Sequence, residues 1–412
     1  MNTAPVVLQI GNRWFPESPG GLERYHYDLA RHLPAAGFEV LSFAVAQTAD
    51  FLGPGTEMTA YAAPNSFIIH RLSALRHAVR NCLATRRVAL VVCHYPLYGF
   101  PIFDLMRTVP TVFHFHGPWA AEGKIEGNSL PAWLSKRCIE QLLYQRPAGF
   151  VVLSAAFRDI LCETYGVPAE RVFVIPGGVD MARFDGDGDR LSARSALRWE
   201  ADRPVAVTLR RLNRRMGIEN LIDAMQKVVS VVPRALLLIG GSGPLRATFE
   251  QRIEQRGLGD CVRVLGRIPD EQLPLFYRAA DVSIMPSIAL EGFGLTAAES
   301  LACGTPVLVT PVGGLPEVVT GLSPDLILEG TEPEVLAEGL IKAFSGTLHL
   351  PDPTTCATYA RNHFDWPIIA GQVAACYRTI LDGTSIASLA ARRNAGISTR
   401  GLNDRAQVPE IR

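Results

Sequence analysis

The chain has 412 residues, 48% apolar and 19% charged, and its forty basic residues balance forty acidic ones. That length suits two domains with a sizeable core, and the composition excludes wholesale disorder. Without a basic excess the chain does not read as a dedicated nucleic-acid binder, so no nucleic acid is expected as a partner. Mean hydropathy is +0.15. The longest apolar runs, Val88–Cys93 and Leu236–Ile239, nevertheless fall far short of the about 18 residues a spanning helix needs. Eight cysteines with no Cys-x-x-Cys pair read as reduced core thiols. The start carries no basic stretch followed by an apolar one, so a cytoplasmic protein is expected.

In chain order, Val6–Ile10 reads as a buried strand, followed by the Gly/Pro-rich turn Pro16–Gly21. A helix over about Leu22–Leu33 then places Tyr25, Leu29 and Leu33 on one face. Phe38–Phe43, Ala89–Cys93, Thr111–Phe115 and Phe150–Leu153 read as further strands. Between the first and second of these, Arg71, Arg76, Arg80, Arg86 and Arg87 accompany Leu72, Leu75, Val79 and Leu83 at helical spacing. No acidic residue falls between Glu57 and Asp104. Such a helix can pack on its own domain, or it can lie peripherally on anionic lipid.

The pattern then repeats. Val205–Leu209, Ala235–Ile239, Val262–Leu265, Val282–Met285 and Pro306–Thr310 read as strands, with helices over Ile218–Val229, Glu271–Ala279 and Leu295–Ala302. The intervening FDGDGDR (184–190) reads as a linker. A calcium loop starting at Asp185 would need Gly and Glu where Arg190 and Ala196 stand. The expected partition is a first domain over 1–185, a second over 186–364, a helix crossing back over 365–383, and a tail over 384–412 that loses its apolar periodicity and is expected to be disordered. The predicted fold class is α/β, with two Rossmann-like doubly wound domains facing each other across a cleft. Ligands of such sheets bind outside the strand carboxyl ends.

The run from Asp281 to Glu317 carries the chemistry. Glu291 and Glu299 are separated by seven residues, with Gly292-Phe293-Gly294 leading into a helix that begins Leu295-Thr296. The free N–H groups of that helix start can hold a phosphate. Glu299, one turn in, can accept hydrogen bonds from vicinal hydroxyls, and Glu291 can face a second sugar. Taken alone, the pair also fits a helix-dipole Glu and a solvated one. Gly20-Gly21 before the first helix can approach phosphate closely, or form a plain tight turn. The basic loop Arg210–Gly217 follows the first strand of the second half, and His114-Phe115-His116-Gly117 follows Thr111.

Glu-x7-Glu followed by CGTPV and VGGLPE resembles glycosyltransferase family 4, retaining enzymes of the GT-B fold, and the resemblance extends over about residues 6 to 382. It takes in 151–180, 239–246 and 264–287, and Phe364–Ile380, with Trp366 and Tyr377, resembles the family's crossing helix. Gly177 stands where the family usually has Asn, and Met216 where it has Lys.

The resemblance implies a role for each position. Arg211 would clamp the diphosphate, with Arg215, ahead of Arg214, replacing the family Lys. Gly20 and Gly21 would approach the phosphates, and so would the helix start at Leu295 and Thr296. Glu299 would hold the ribose, and the backbone around Arg267 and Ile268 the base. Glu291 and the amides of Gly292, Phe293 and Gly294 would fix the transferred sugar, with His116, in preference to His114, opposite. His116, Glu291, Arg211 and Arg215 are thus the expected catalytic set.

The implied activity moves a hexose-type sugar from a UDP- or GDP-linked donor to a hydroxyl of a glycan, a lipid-linked or a small acceptor, with no cofactor and no metal. Retention implies front-face attack, with Glu291 as a covalent nucleophile the rival. Two alternatives keep the fold: a nucleotide-sugar epimerase and a non-catalytic sugar-nucleotide-binding protein. A dinucleotide oxidoreductase is disfavoured, because GNRWFPESPGG after Val6–Ile10 lacks Gly-x-Gly-x-x-Gly.

Overall fold

In the computed structural model, residues 4–184 and 188–383 are described. The expected boundary at 185/186 and the tail over 384–412 lie outside them. Two separate parallel sheets form, because each short Val/Ile/Leu-rich strand is apolar on both faces and must be covered on both by helices. The first holds β1 (Val6–Arg13), β2 (Glu39–Val45), β3 (Asp50–Gly53), β4 (Thr56–Ala62), β5 (Val88–Cys93), β6 (Thr111–Phe115), β7 (Gly149–Val152) and β8 (Val172–Val174). Its order is β3-β4-β2-β1-β5-β6-β7-β8, with β3 antiparallel at the edge. The second holds β9 (Val205–Leu209), β10 (Leu236–Gly240), β11 (Val262–Gly266), β12 (Val282–Met285) and β13 (Val307–Val309), in the order β11-β10-β9-β12-β13.

Reading the sequence missed β3, β4 and β8. The first two form a hairpin at one edge of the sheet with partly exposed, mixed side chains, and β8 has three residues. The crossing segment, expected over 365–383, begins at a break between two helices. Helix Pro353–Phe364 ends, Asp365 pairs with Val179 in an isolated bridge, and a new helix runs over Trp366–Leu381. Its Tyr377 hydroxyl meets His114 Nε2 at 2.8 Å, while Trp366 lies 5.3 Å from the Tyr25 ring. The last helix is thereby tied into the first domain.

Gly177, the departure from the family Asn, has a local cause. A Cβ built there would lie 2.6 Å from Leu295 Cδ2 and 2.8 Å from the Phe293 ring. The neighbouring apolar side chains fill the volume an Asn would need.

The basic stretch forms helix Ile68–Thr85, and its apolar stripe turns inward. Leu75, Val79 and Cys82 are buried, and Leu72 and Leu83 pack against the same core. Arg76 makes a two-point contact with Asp104 at 2.6 and 2.8 Å, and Arg86 pairs with Glu39. The stripe is thus not available to lipid. At its N-terminal start the helix exposes Phe67, Ile68 and Ile69. Among the described residues, no helix is long and apolar enough to cross a membrane.

Glu317, the last residue of VGGLPE, joins the domains. Its carboxylate accepts from the backbone N–H groups of Ala155 and Ala156 at 2.8 and 3.1 Å, capping helix Ala155–Tyr165 of the first domain. Glu317→Ala is expected to cost about 1 kcal/mol, the usual loss for a missing cap. Glu317→Gln should retain most of it, and thermal melting of the two variants checks the difference.

Candidate active site

The carboxyl ends of β1, β5, β6, β9 and β12 converge on one cleft of about 450 Å³ between the sheets. Gly20, Gly21, His116, Arg211, Arg215, Glu291, Gly292, Phe293, Gly294, Leu295 and Thr296 all line it. Eleven expected positions from four separated segments therefore meet. Glu299, Arg267 and Ile268 do not. Ile268 is buried against Gly240 in its own domain, and Arg267 is exposed. Glu299 lines a neighbouring interdomain cavity of about 410 Å³ with Arg24, Asp28 and Asp270.

Glu291 follows Leu290, whose φ of +49° is unusual for a side-chain-bearing residue. The strained turn is held from both sides. Arg215 Nη1 donates to the Leu290 carbonyl at 2.8 Å. On the other side Gly313, at φ +57°, lets its chain pass so near the Glu291 carbonyl that a Cβ would collide with it. The VGG of the motif thus presses the Glu291 turn into the cleft. The adjoining helix Leu295–Ala302 is capped by Gly294 at φ +89° with no side-chain cap, which leaves its first N–H groups for a ligand.

Arg210, which stands where the resemblance expects Gly, was not expected in the site. Its Nη2 donates to Glu291 Oε2 at 2.5 Å, and Ser287 Oγ donates to the same oxygen at 3.0 Å. Burial pushes the Glu291 carboxyl up, but Arg210 and Arg215 more than offset it and the net shift is downward. Glu291 is therefore ionised at neutral pH. Arg215 is buried and its Nη2 reaches Glu122 Oε1 of the first domain at 3.3 Å. Arg214 is exposed and outside the cleft wall, whereas Met216 is buried and part of it. The cation nearest the family Lys position is thus Arg215.

His116 faces the cleft, and His114 lies behind it against Tyr377. His94 connects the layer: Nδ1 lies 3.2 Å from His116 Nε2, and Nε2 lies 2.8 Å from Gln9 Oε1. Burial lowers the pKa of His26 and of His116 to about 3, so both are neutral at physiological pH. The group among the described residues that could hold a metal ion is His94, His114 and His116, with ring nitrogens within 4.8 Å of one another. Glu23 hydrogen-bonds Asn12 at 3.0 Å and sits at the start of helix Gly21–His32, where it occupies the space over Gly20. That anion seat is therefore filled by the chain's own carboxylate. Glu122, Glu23 and His94 were not singled out from the sequence, since nothing in HGPWAAEG or the first-domain turns distinguishes them from surface residues.

Two facing Rossmann-like sheets, an ionised carboxylate on a strained turn, three arginines and an uncapped helix start define a GT-B glycosyltransferase. The pattern described as Glycosyltransferase Family 4 matches residues 19–183, and that described as Glycosyl transferases group 1 matches 189–363. The chain belongs to glycosyltransferase family 4. A D-inositol 3-phosphate glycosyltransferase of Segniliparus rotundus is 30% identical over 329 residues, which are 76% of this chain and 72% of that protein. A mannosylfructose-phosphate synthase of Agrobacterium fabrum is 30% identical over 250 residues, 58% of this chain and 55% of that protein. Among solved structures, sucrose-phosphate synthase from Thermosynechococcus elongatus superposes with a TM-score of 0.77 at 25% identity, covering 92% of this chain and all of that one (100%).

Proposed function

We propose that this glycosyltransferase is retaining and metal-independent, and moves a hexose-type sugar from a UDP- or GDP-linked donor to a hydroxyl acceptor. The observation that carries the reading is the set of cationic donors around Glu291: Arg210, Arg211, Arg215 and the free N–H groups at Leu295 and Thr296 share one cleft wall. A leaving diphosphate needs such donors, fixed before the reaction. Glu291, ionised and tied to Arg210, is placed to accept from sugar hydroxyls. His116, neutral, faces it from the other domain. The acceptor proton passes to the departing phosphate as the new bond forms on the same face. Glu291 is held by two donors on one oxygen, and this favours the front-face course over covalent attack by that carboxylate.

Thermal melting with UDP, GDP, ADP and NAD, each with EDTA and with Mg²⁺, tests the reading. A ligand at about a hundred times its Kd stabilises by roughly 2.7 kcal/mol. A metal-independent shift with one diphosphate supports the donor site and names its base. A shift with NAD alone, or with none of them, overturns it. A lipid-linked acceptor would be met at an anionic membrane by the exposed Phe67–Ile69, and vesicle co-sedimentation checks that contact.

If Glu299 holds the ribose, donor binding depends on pH. Burial pushes its carboxyl up to about 6, against the pull of Arg24 and the Tyr277 hydroxyl at 3.3 Å. Burial thus favours the protonated form below about 6, while ribose hydroxyls need the carboxylate. Nucleoside diphosphate affinity is expected to fall as pH drops below that value, approaching tenfold per unit. Calorimetric titration between about pH 5 and 7 checks this, and Glu299→Gln should flatten the profile.

A further inference from the structure

The two walls of the cleft differ in charge, and the difference bears on the acceptor. All three cleft arginines, Arg210, Arg211 and Arg215, come from the second domain. The first-domain wall instead presents Asn12, Glu23, Tyr95, Trp119 and Glu122, and among its described residues lining the cleft there is no lysine or arginine. Two first-domain cations outside the cleft lining act on this wall: Lys136, with its Nζ 4.9 Å from the Trp119 ring centre, is drawn to Glu140 and Glu122, and Arg13 acts with Arg211 on Glu23.

From this we infer that the acceptor is an uncharged hydroxyl-bearing ring, a sugar unit of a glycan or glycoside, and not a sugar phosphate. The inference rests on the proposed donor site, since it assigns the arginine wall to the diphosphate. Arg210 already faces Glu291, and Arg215 already faces Glu122. A donor diphosphate takes up what positive charge is left. A phosphate on the acceptor would then meet Glu23 and Glu122, whose neighbouring arginines are already engaged with them, Arg215 with Glu122 and Arg211 and Arg13 with Glu23, and like charges repel in a low-dielectric cleft. Sugar hydroxyls suit the same wall, because a carboxylate is a pure acceptor and each hydroxyl has a proton to give. The Tyr95 and Trp119 rings, 5.5 Å apart and inclined at 57°, form a corner against which the apolar face of a sugar ring can lie. The names of the relatives described above all carry a phosphate, so on this point the chain departs from them.

The test uses the full chain and the nucleoside diphosphate that shifts its melting. If none does, the donor reading fails and takes the acceptor inference with it; binding of a diphosphate separates that failure from a failure of the acceptor inference alone. With a donor in hand, initial rates are compared for acceptor pairs that differ by one phosphate: fructose and fructose 6-phosphate, inositol and inositol 3-phosphate, methyl glucoside and its 6-phosphate. The expected result is a kcat/KM at least about 100-fold higher for the neutral member of the pair that is used, the scale on which an unpaired buried charge discriminates. Glu122→Gln, which keeps the shape and removes the charge, should shrink that ratio about tenfold while leaving thermal stability close to wild type. Trp119→Phe should raise KM for the neutral acceptor and leave diphosphate binding unchanged. An enzyme that binds the diphosphate but prefers a phosphorylated member, or uses no neutral acceptor, overturns the inference. So does a discrimination ratio indifferent to Glu122→Gln.

Discussion

Replacing Glu291 by glutamine is expected to lower kcat by about 10²- to 10³-fold, the cost of one group that fixes charge at a reacting centre. The fold should survive. Glutamine still offers an oxygen to Arg210 Nη2 and Ser287 Oγ, now at 2.5 and 3.0 Å from Glu291 Oε2. Alanine should behave differently. It would leave the Arg210 guanidinium, with a side chain only 5% exposed, without its carboxylate. Breaking a buried pair from one side costs about 3–5 kcal/mol, and Arg210 Nε and Nη1 already lack partners. Glu291→Ala is thus expected to lose activity and melt earlier, and Glu291→Gln to lose activity alone. Rates and melting curves on both variants separate the two effects. An unchanged kcat in Glu291→Gln would remove Glu291 from the site.

The second large effect concerns Arg215. It spans the domains to Glu122 and props the strained Leu290 turn through one guanidinium, which a lysine cannot do with a single ammonium. Arg215→Met is therefore expected to cost about 10²- to 10³-fold in kcat and to weaken diphosphate binding, since it removes a leaving-group donor. A double variant makes the assignment sharper. Adding Met216→Lys to Arg215→Met restores a cation at the neighbouring position, where the family resemblance expects Lys. Recovery of about tenfold or more in kcat would mean that the charge at 215 substitutes for one at 216. No recovery would mean that the Leu290 and Glu122 contacts, not charge alone, are what Arg215 supplies.

Much of the site was legible in the linear chain. Strand ends in parallel sheets collect at one edge, so residues just after Val6–Ile10, Thr111–Phe115, Val205–Leu209 and Val282–Met285 had to meet if the alternation was read correctly. The preference for His116 over His114 comes from the family resemblance; in the fold the strand ends at Phe115, and His116, one residue beyond it, lines the cleft while His114 does not. Arg210 could have been noticed as a cation in place of the family Gly, but its partner could not, since Glu291 is 81 positions away. The edge hairpin β3–β4 escaped because its strands are half-exposed, so no continuous apolar run marks them.

The class of the protein can be read from the linear chain: two parallel α/β sheets, most of their elements, and a Glu-x7-Glu glycosyltransferase site at the facing edges. These follow from local periodicity and from short motifs whose residues are neighbours in the chain. How the pieces pair is settled in the folded chain. Folding turned the Leu72–Leu83 stripe inward, set Glu299 in a cavity beside the cleft, joined Arg215 to Glu122 and Glu317 to the Ala155 helix, and left all the cleft arginines on one wall. Those outcomes depend on which surfaces meet when two domains close. Packing and Coulomb energies between residues far apart in sequence settle that, and no local pattern encodes them.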